Sequence, residues 1–294
     1  MHLPVLLREV VDYLNLEPGD VVLDATLGGG GHAQEILKRI VPGGTLVAVD
    51  RDPEAIERVR QNLEVFKEEV IYVNDNFRNI DRILKKTAAE GIDGAVFDLG
   101  ISSFQIDDGG RGFSFLKDGP LDMRFDIRQE PSAADVVNKF GREELADIIW
   151  KYGEERHSRL VAAAICAARK KARIETTGAL ACIILKALGG KYRKQRLHPA
   201  ARTFQALRIF VNDELAAVEE AVSKTVLRLR PQGRICVISF HSLEDRIVKN
   251  LFRGMAKTGE IAVVTKKPVR PGREEIRRNP RSASAKLRTA ERVK

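Results

Sequence analysis

The sequence predicts an α/β protein: a doubly wound, mostly parallel sheet with a helical domain inserted into it. Three observations carry this. Short β-branched runs alternate with helical stretches through the first hundred residues. The alternation stops for about a hundred residues and then resumes. A glycine run stands where the first strand turns into the first helix, as in folds that bind a nucleotide at the edge of a parallel sheet.

The first four strands read as VVLDAT (Val21–Thr26), TLVAVD (Thr45–Asp50), VIYVND (Val70–Asp75) and GAVFDLG (Gly94–Gly100). Each is a short apolar run of the kind buried on both faces of a parallel sheet. Between them lie HAQEILKRI, PEAIERVRQNL and NIDRILKKTAAEG, with apolar residues at helical spacing, Pro53 just inside the second helix and Gly91 just past the third. From Ile106 to Thr203 no strand pattern appears. A Gly/Asp-rich loop, DDGGRGFSFLKDGPLD, leads into helical patterns at Ala133–Asn138, Glu143–Tyr152, Arg156–Arg173 and Thr177–Leu188. The α/β rhythm returns with the helix DELAAVEEAVSKTVLRL, a turn at PQG and the strand RICVISF (Arg234–Phe240). A helix, SLEDRIVKNLFRGM, and two strand-like runs, IAVVTKKPV and SAKLRTAERV, close the chain. The expected organisation is a discontinuous catalytic domain, 1–105 with 204–294, and an inserted helical substrate-recognition domain over 106–203.

Composition narrows the class. With 294 residues and 44% hydrophobic content the chain can bury a full core. No apolar run reaches the roughly 18 residues of a membrane span, and MHLPVLLREVV does not read as a signal peptide. No membrane association is therefore expected. Three scattered cysteines (Cys166, Cys182, Cys236) suit neither a disulfide framework nor a metal site, so a reducing cytoplasm is the expected location and no metal is predicted. The net charge of +9 is concentrated at the end, where Lys266–Lys294 holds eleven Lys/Arg against three Glu. Such a tail is either simply solvated or attracts a polyanion. KYRKQR (Lys191–Arg196) forms a second basic cluster, with Tyr192 available to stack on a base.

The turn DATLGGGGH, from Asp24 to His32, lets a ligand approach a backbone that side chains would otherwise shield. Asp50 ends the second strand 22 residues after Gly28, where a carboxylate can accept bonds from both ribose hydroxyls. Two cofactors fit this much, since Gly28, Gly30 and Ala33 also match the dinucleotide pattern G-x-G-x-x-G/A of an oxidoreductase. Three features favour S-adenosylmethionine. Polar groups end all four strands (Asp24, Asp50, Asp75-Asn76-Phe77, Asp98), as a compact adenosyl cofactor with an amino-acid tail requires. Two closing strand-like runs suit the antiparallel last strand of methyltransferase sheets. A basic tail suits a nucleic-acid substrate. A non-catalytic assembly factor that binds nucleic acid would share that tail but has no use for four polar strand ends.

Longer motifs then single out one family. His2-Leu3-Pro4-Val5-Leu6-Leu7, DATLGGGGH, DLGISSFQIDDGGRGFSF (Asp98–Phe115), PLDMRFD (Pro120–Asp126), YGEE (Tyr152–Glu155), HPAARTFQALRIFVNDEL (His198–Leu215) and VISFHSLEDRIVK (Val237–Lys249) run the length of the chain. The chain resembles the ribosomal small-subunit methyltransferase H family, which methylates N4 of a cytidine in the decoding region of bacterial 16S rRNA. The resemblance implies a seven-stranded, Rossmann-like methyltransferase sheet and S-adenosylmethionine as cofactor. It implies 16S rRNA, in the small ribosomal subunit or a late assembly intermediate, as partner; a homodimer is compatible with it. The family's cofactor contacts fall on Gly30, Gly31, His32, Asp50, Phe77, Asp98 and Gln105. Five of these also follow from spacing; His32 and Gln105 come from the resemblance alone. Ala201 and Phe125 depart from the family pattern, which usually has Thr and often Met there. No catalytic base is assigned. His241 reads as a residue that orders its loop, and Arg111, Arg124 and Arg202 as either phosphate ligands or salt-bridge residues.

Overall fold

The computed structural model describes residues 4–87, 91–101, 109–189 and 198–294. The chain divides into two units, Met1–Gly100 with Leu215–Lys294, and Ile101–Glu214.

The first unit holds a seven-stranded sheet in the order β3-β2-β1-β4-β5-β7-β6. Its strands are β1 (Val21–Asp24), β2 (Thr45–Asp50), β3 (Val70–Asn74), β4 (Ile92–Asp98), β5 (Leu229–Ser239), β6 (Ile261–Val263) and β7 (Lys286–Arg292). β1 to β5 pair in parallel, and β7 runs antiparallel to both β5 and β6. Successive strand residues point to opposite faces, and both faces are covered. Val22, Leu46, Ala48, Val96, Cys236 and Ile238 pack under α1 (Leu7–Leu14), α2 (Gly31–Ile40) and α3 (Pro53–Asn62). Leu23, Val47, Val49, Ala95, Phe97, Ile235 and Val237 pack under α4 (Ile80–Lys86), α10 (Glu214–Arg228) and α11 (Ser242–Lys257). That two-sided burial is why the strands read as unbroken apolar runs.

Two readings of the sequence change here. PQG turns within β5, at a break in its register with β4, and not before the strand begins. Leu229 pairs with Ile92 and Arg234 with Gly94, so β5 carries extra residues between them, with Gln232 at φ 70°. The basic C-terminal stretch is also no free tail, because β7 is an inner strand of the sheet. Its cations are partly absorbed there. Arg288 Nε donates to Asp245 Oδ1 at 2.7 Å and Lys286 Nζ to Asp245 Oδ2 at 3.1 Å, while Arg292 lies 3.7 Å from Glu260.

The second unit is helical: α5 (Ala133–Lys139), α6 (Arg142–Gly153), α7 (Ser158–Arg169), α8 (Thr177–Leu188) and α9 (Ala201–Asn212) surround a core of their own. Local signals start these helices. Ser132 and Asp135 form a reciprocal capping box, and the Thr176 side chain accepts from Ala179 N. The sequence reading closed the insert at Thr203, inside α9. Phe204, Ala206, Leu207 and Val211 of that helix lie in the helical unit's core, so the unit runs on to Glu214. Asn212 ties α9 to the PLDMRFD loop. Its Nδ2 donates to the Met123 carbonyl at 2.7 Å and its Oδ1 accepts from Phe125 N at 2.8 Å. Met123 itself sits at φ 62°, a strained conformation for a side-chain-bearing residue.

Asp245 is the point where the closing strand is electrostatically fastened. Burial alone would raise its pKa, but Arg288 and Lys286 hold it below the usual carboxylate range. Asp245→Ala should cost about 3–5 kcal/mol, because it leaves Arg288 buried without its counter-charge. Urea unfolding of variant and wild type measures this; a loss under 1 kcal/mol would mean that β7 is held by its backbone ladder alone.

Candidate functional site

Parallel strands all end at one edge, and that edge collects the acids. Asp24, Asp50 and Asp98 are the last residues of β1, β2 and β4, and ligands of open α/β sheets bind outside this edge. The edge is cross-braced. Thr26 Oγ1 accepts from Asp98 N at 2.6 Å, Ala25 N donates to Val96 O at 3.0 Å, and Leu27 N donates to Val49 O at 3.0 Å. The loop after β1 is thereby bonded to both neighbouring strands. Thr26 is a site residue that the sequence reading passed over. It lay within the quoted motif, but nothing in the motif says which strand its hydroxyl would meet.

Asp50 supports the glycine turn directly. Its Oδ2 accepts from Gly28 N at 2.8 Å and its Oδ1 from Asp52 N at 2.9 Å. Burial raises its pKa against the pull of those two N–H groups. Gly30 caps α2 in the left-handed region at φ 75°, and a Cβ there would come 2.6 Å from Val59 Cγ1. That position needs glycine on two counts, conformation and space. Gly31 opens α2 against Pro4, and His32 follows, buried. The His32 Nε2–H donates to the Val5 carbonyl at 3.0 Å, and Nδ1 lies 3.8 Å from Asp98 Oδ2.

On the far side of Asp50, Asn76 caps a short 3₁₀ turn that starts at Phe77. Phe77 meets Phe97 edge-on with centroids 5.9 Å apart, and the Arg51 guanidinium lies 5.3 Å from the Phe77 centroid. Asp75 serves this turn structurally. It accepts from Asn76 N, Asn79 Nδ2 and Arg82 Nη2, and these bonds overcome the effect of burial to hold its pKa low. The Arg51 contact is a second feature that sequence reading missed, since strand-end spacing marks carboxylates and not the cation beside them.

Asp24 and Asp98 are different. Among the described residues, Asp24 Oδ2 and Asp98 Oδ1 are buried side-chain oxygens with no hydrogen-bond partner. Burial pushes Asp24 up to about 7, with the charge of Asp50 adding to it and the Thr26 N–H opposing. Burial pushes Asp98 up to about 8, with Asp24 and Glu244 adding to it. Two acids held near neutrality with open acceptor atoms suit a cationic ligand, and ammonium and sulfonium groups answer that description.

Gln105 and the Lys191–Arg196 cluster lie outside the described residues. The other candidates resolve. His241 caps α11: its Nδ1 accepts from Glu244 N at 3.4 Å, while Glu244 Oε2 accepts from Phe240 N at 2.8 Å. It orders its loop, as the sequence reading favoured. The three arginines of the helical unit hold loops together. Arg111 Nη2 donates to the carbonyls of Arg124 and Phe125, Arg124 pairs with Asp122 at 2.7 Å, and Arg202 Nη1 donates to Glu154 O at 2.7 Å.

The strand order separates the rival cofactors. A dinucleotide-binding sheet is parallel through its sixth strand in the order 3-2-1-4-5-6, whereas here an antiparallel β7 stands between β5 and β6. Comparison with known proteins agrees. The profile of the MraW methylase family matches residues 1–293. A ribosomal RNA small subunit methyltransferase H from Halothermothrix orenii is 47% identical, covering 99% of this chain and 98% of its own. One of the same name from Brevibacillus brevis is 44% identical over the same shares. A solved structure from Clostridium thermocellum, described as a candidate rRNA methylase, covers 100% of both chains at 14% identity with a TM-score of 0.50, a likeness of fold.

The acids make a prediction about the ligand-free protein. Both folded-state pKa values are raised above the unfolded carboxylate, so the folded state holds more protons, and stability falls as pH rises from about 4 towards about 8. Asp98→Asn, which removes one titration, should lose less stability than wild type between pH 6 and pH 8.5. Thermal melts across that range measure it, and identical pH profiles would show that Asp98 is ionised throughout.

Proposed function

The chain belongs to the MraW methylase family, and on that premise we propose that it transfers a methyl group from S-adenosylmethionine to N4 of a cytidine in the decoding region of bacterial 16S rRNA. The observation that carries this reading is the pair of open buried carboxyl oxygens on Asp24 and Asp98 at the carboxyl edge of a methyltransferase-type sheet. S-adenosylmethionine brings a methyl group made electrophilic by its sulfonium. In this reading the chain's own residues do the rest. Asp50 accepts from the ribose hydroxyls, since each of its oxygens keeps a lone pair after bonding Gly28 N or Asp52 N. Phe77 lies against the adenine. Gly30, Gly31 and His32 bring the N-terminus of α2, the positive end of its dipole, to the carboxylate of the amino-acid tail. Gln105 joins this set on the strength of the resemblance.

The exocyclic amine of cytosine is a poor nucleophile because its lone pair is delocalised into the ring. Rate therefore depends on holding the nitrogen in line with the methyl at close range. The Asp98 carboxylate accepts a hydrogen bond from that amine and stabilises the positive charge that develops on it. The methylated nitrogen is then acidic enough to lose its proton to water, so no dedicated base is assigned. The base must be unstacked to reach the pocket. We take the helical insert as the substrate-recognition domain, and the small ribosomal subunit or a late assembly intermediate as the substrate.

Methyl transfer from labelled cofactor to small subunits lacking the modification tests the activity: label should appear on one cytidine N4. Tight binding without any transfer would make the chain an assembly factor instead. Asp50→Ala should weaken cofactor binding by about 1.5–3 kcal/mol, the range for hydrogen bonds to a charged group. Unchanged affinity by titration calorimetry would remove Asp50 from the ribose.

A further inference from the structure

The cations of the C-terminal stretch fall into two groups that the sequence does not separate. Lys286, Arg288 and Arg292 lie on β7 and are paired with Asp245 and Glu260. Lys266, Lys267, Arg270, Arg273 and Arg277 lie on the connection between β6 and β7, are all exposed, and form no ion pair among the described residues. Arg278 on the same stretch pairs with Glu274.

The position of that connection is well defined. β6, like β5, runs antiparallel to β7 and so advances towards the carboxyl edge. Val264 N and Thr265 N donate to Thr289 O, and further on Val269 exchanges two 2.9 Å backbone bonds with Leu287. On the other side of β7, Lys286 stands opposite Ser239, the last residue of β5. Residues 270–285 therefore leave and re-enter the sheet at the carboxyl edge, the end where Asp24, Asp50 and Asp98 lie. The connection is anchored there. Pro271, Ser282 and Ala285 are buried, and Glu275 Oε1, on α12 (Arg273–Arg278), accepts from Leu6 N at 2.8 Å. The neighbouring Val5 carbonyl takes the His32 bond, so two consecutive residues link the basic connection to the helix start beside Asp98.

We propose that the β6–β7 connection is a phosphate-binding rim of the active-site edge, and that Lys266, Lys267, Arg270, Arg273 and Arg277 hold the RNA backbone flanking the target cytidine. This rests on the methyltransferase reading above. The five cations are spread over twelve residues: Arg270, Arg273 and Arg277 stand on the stretch anchored at the carboxyl edge, and Lys266 and Lys267 lead into it along β7 between the Thr265–Thr289 and Val269–Leu287 bonds. A surface of this kind positions a polyanion without reading its bases. Paired cations on β7 already have carboxylate partners and contribute little to such a surface.

The test compares wild type with a variant in which all five are changed to Gln. Binding to small subunits lacking the modification is measured from low to high salt, together with S-adenosylmethionine affinity and steady-state kinetics. For every phosphate that is no longer neutralised, the slope of log affinity against log salt should shrink by roughly 0.7. Cofactor affinity should be unchanged, and the subunit KM should rise with kcat largely kept. Parallel salt slopes with an unchanged KM would overturn the rim, even though wild-type activity would still uphold the methyltransferase reading. Loss of cofactor affinity in the variant would also overturn it, by showing that these residues support the fold of the site. A variant pairing Lys286→Gln with Arg292→Gln serves as control and should keep the wild-type slope; if it flattens as much as the fivefold variant, the effect is net charge and the rim is refuted.

Discussion

Parallel pairing of β1 with β2 on one side and β4 on the other is the constraint on which the rest of the molecule depends. Antiparallel neighbours would send consecutive strand ends to opposite edges. Here Asp24, Asp50 and Asp98 arrive at one edge, close enough that the charges of Asp50 and Asp24 raise the pKa values of their neighbours. Apolar layers cover both sheet faces up to that edge; Asp24 is buried beneath it, while Asp50 and Asp98 are partly exposed at the rim. Two of them keep open oxygens that a well-packed protein would normally satisfy. Unsatisfied polar groups of this kind are destabilising, and at the carboxyl edge of an open α/β sheet a bound ligand can supply the missing partner.

The same edge explains how positive charge is distributed. Inside the sheet a cation must be paired, because leaving it alone in a low-dielectric region is costly. Asp245 on α11 and Glu260 just before β6 meet that requirement for β7. Outside the sheet, on the connection that closes over its carboxyl edge, the cations face solvent, and no carboxylate among the described residues pairs with five of them. Net charge by position in the chain gives no hint of this division, since both groups belong to one short basic stretch.

The helical unit shows the opposite use of arginine. Arg111 and Arg202 spend their guanidinium groups on backbone carbonyls, and Arg124 on Asp122 and the Gln129 carbonyl. Arg111, Arg124 and Asn212 together fasten the PLDMRFD loop, which carries a residue with positive φ, while Arg202 ties α9 to the end of α6. The long motifs in this region thus have a structural explanation: a loop without regular structure needs side chains to satisfy its backbone groups. Phe125, one of the two departures from the family pattern, stacks on Phe113 with centroids 5.2 Å apart and packs against the unit's core.

The sequence by itself determined the alternation of strands and helices, the glycine turn, the acids at three strand ends and the presence of a helical insert. All of these depend on local chemistry or on a repeat of two or 3.6 residues, which a linear reading preserves. Glycine at position 30 and aspartate at position 50 were legible because backbone freedom and a charge at a strand end leave a mark on the residue type itself. Only the tertiary structure decided the rest. It placed PQG inside β5, since a break in register is defined by the partner strand. It extended the insert to Glu214, since a helix belongs to whichever core its apolar face enters. It turned a basic tail into an inner strand and an exposed connection, and brought the Thr26 hydroxyl to Asp98 N across 72 positions of chain. Those are long-range pairings, and a residue's type does not encode its partner when that partner is set by how sheets and helices stack.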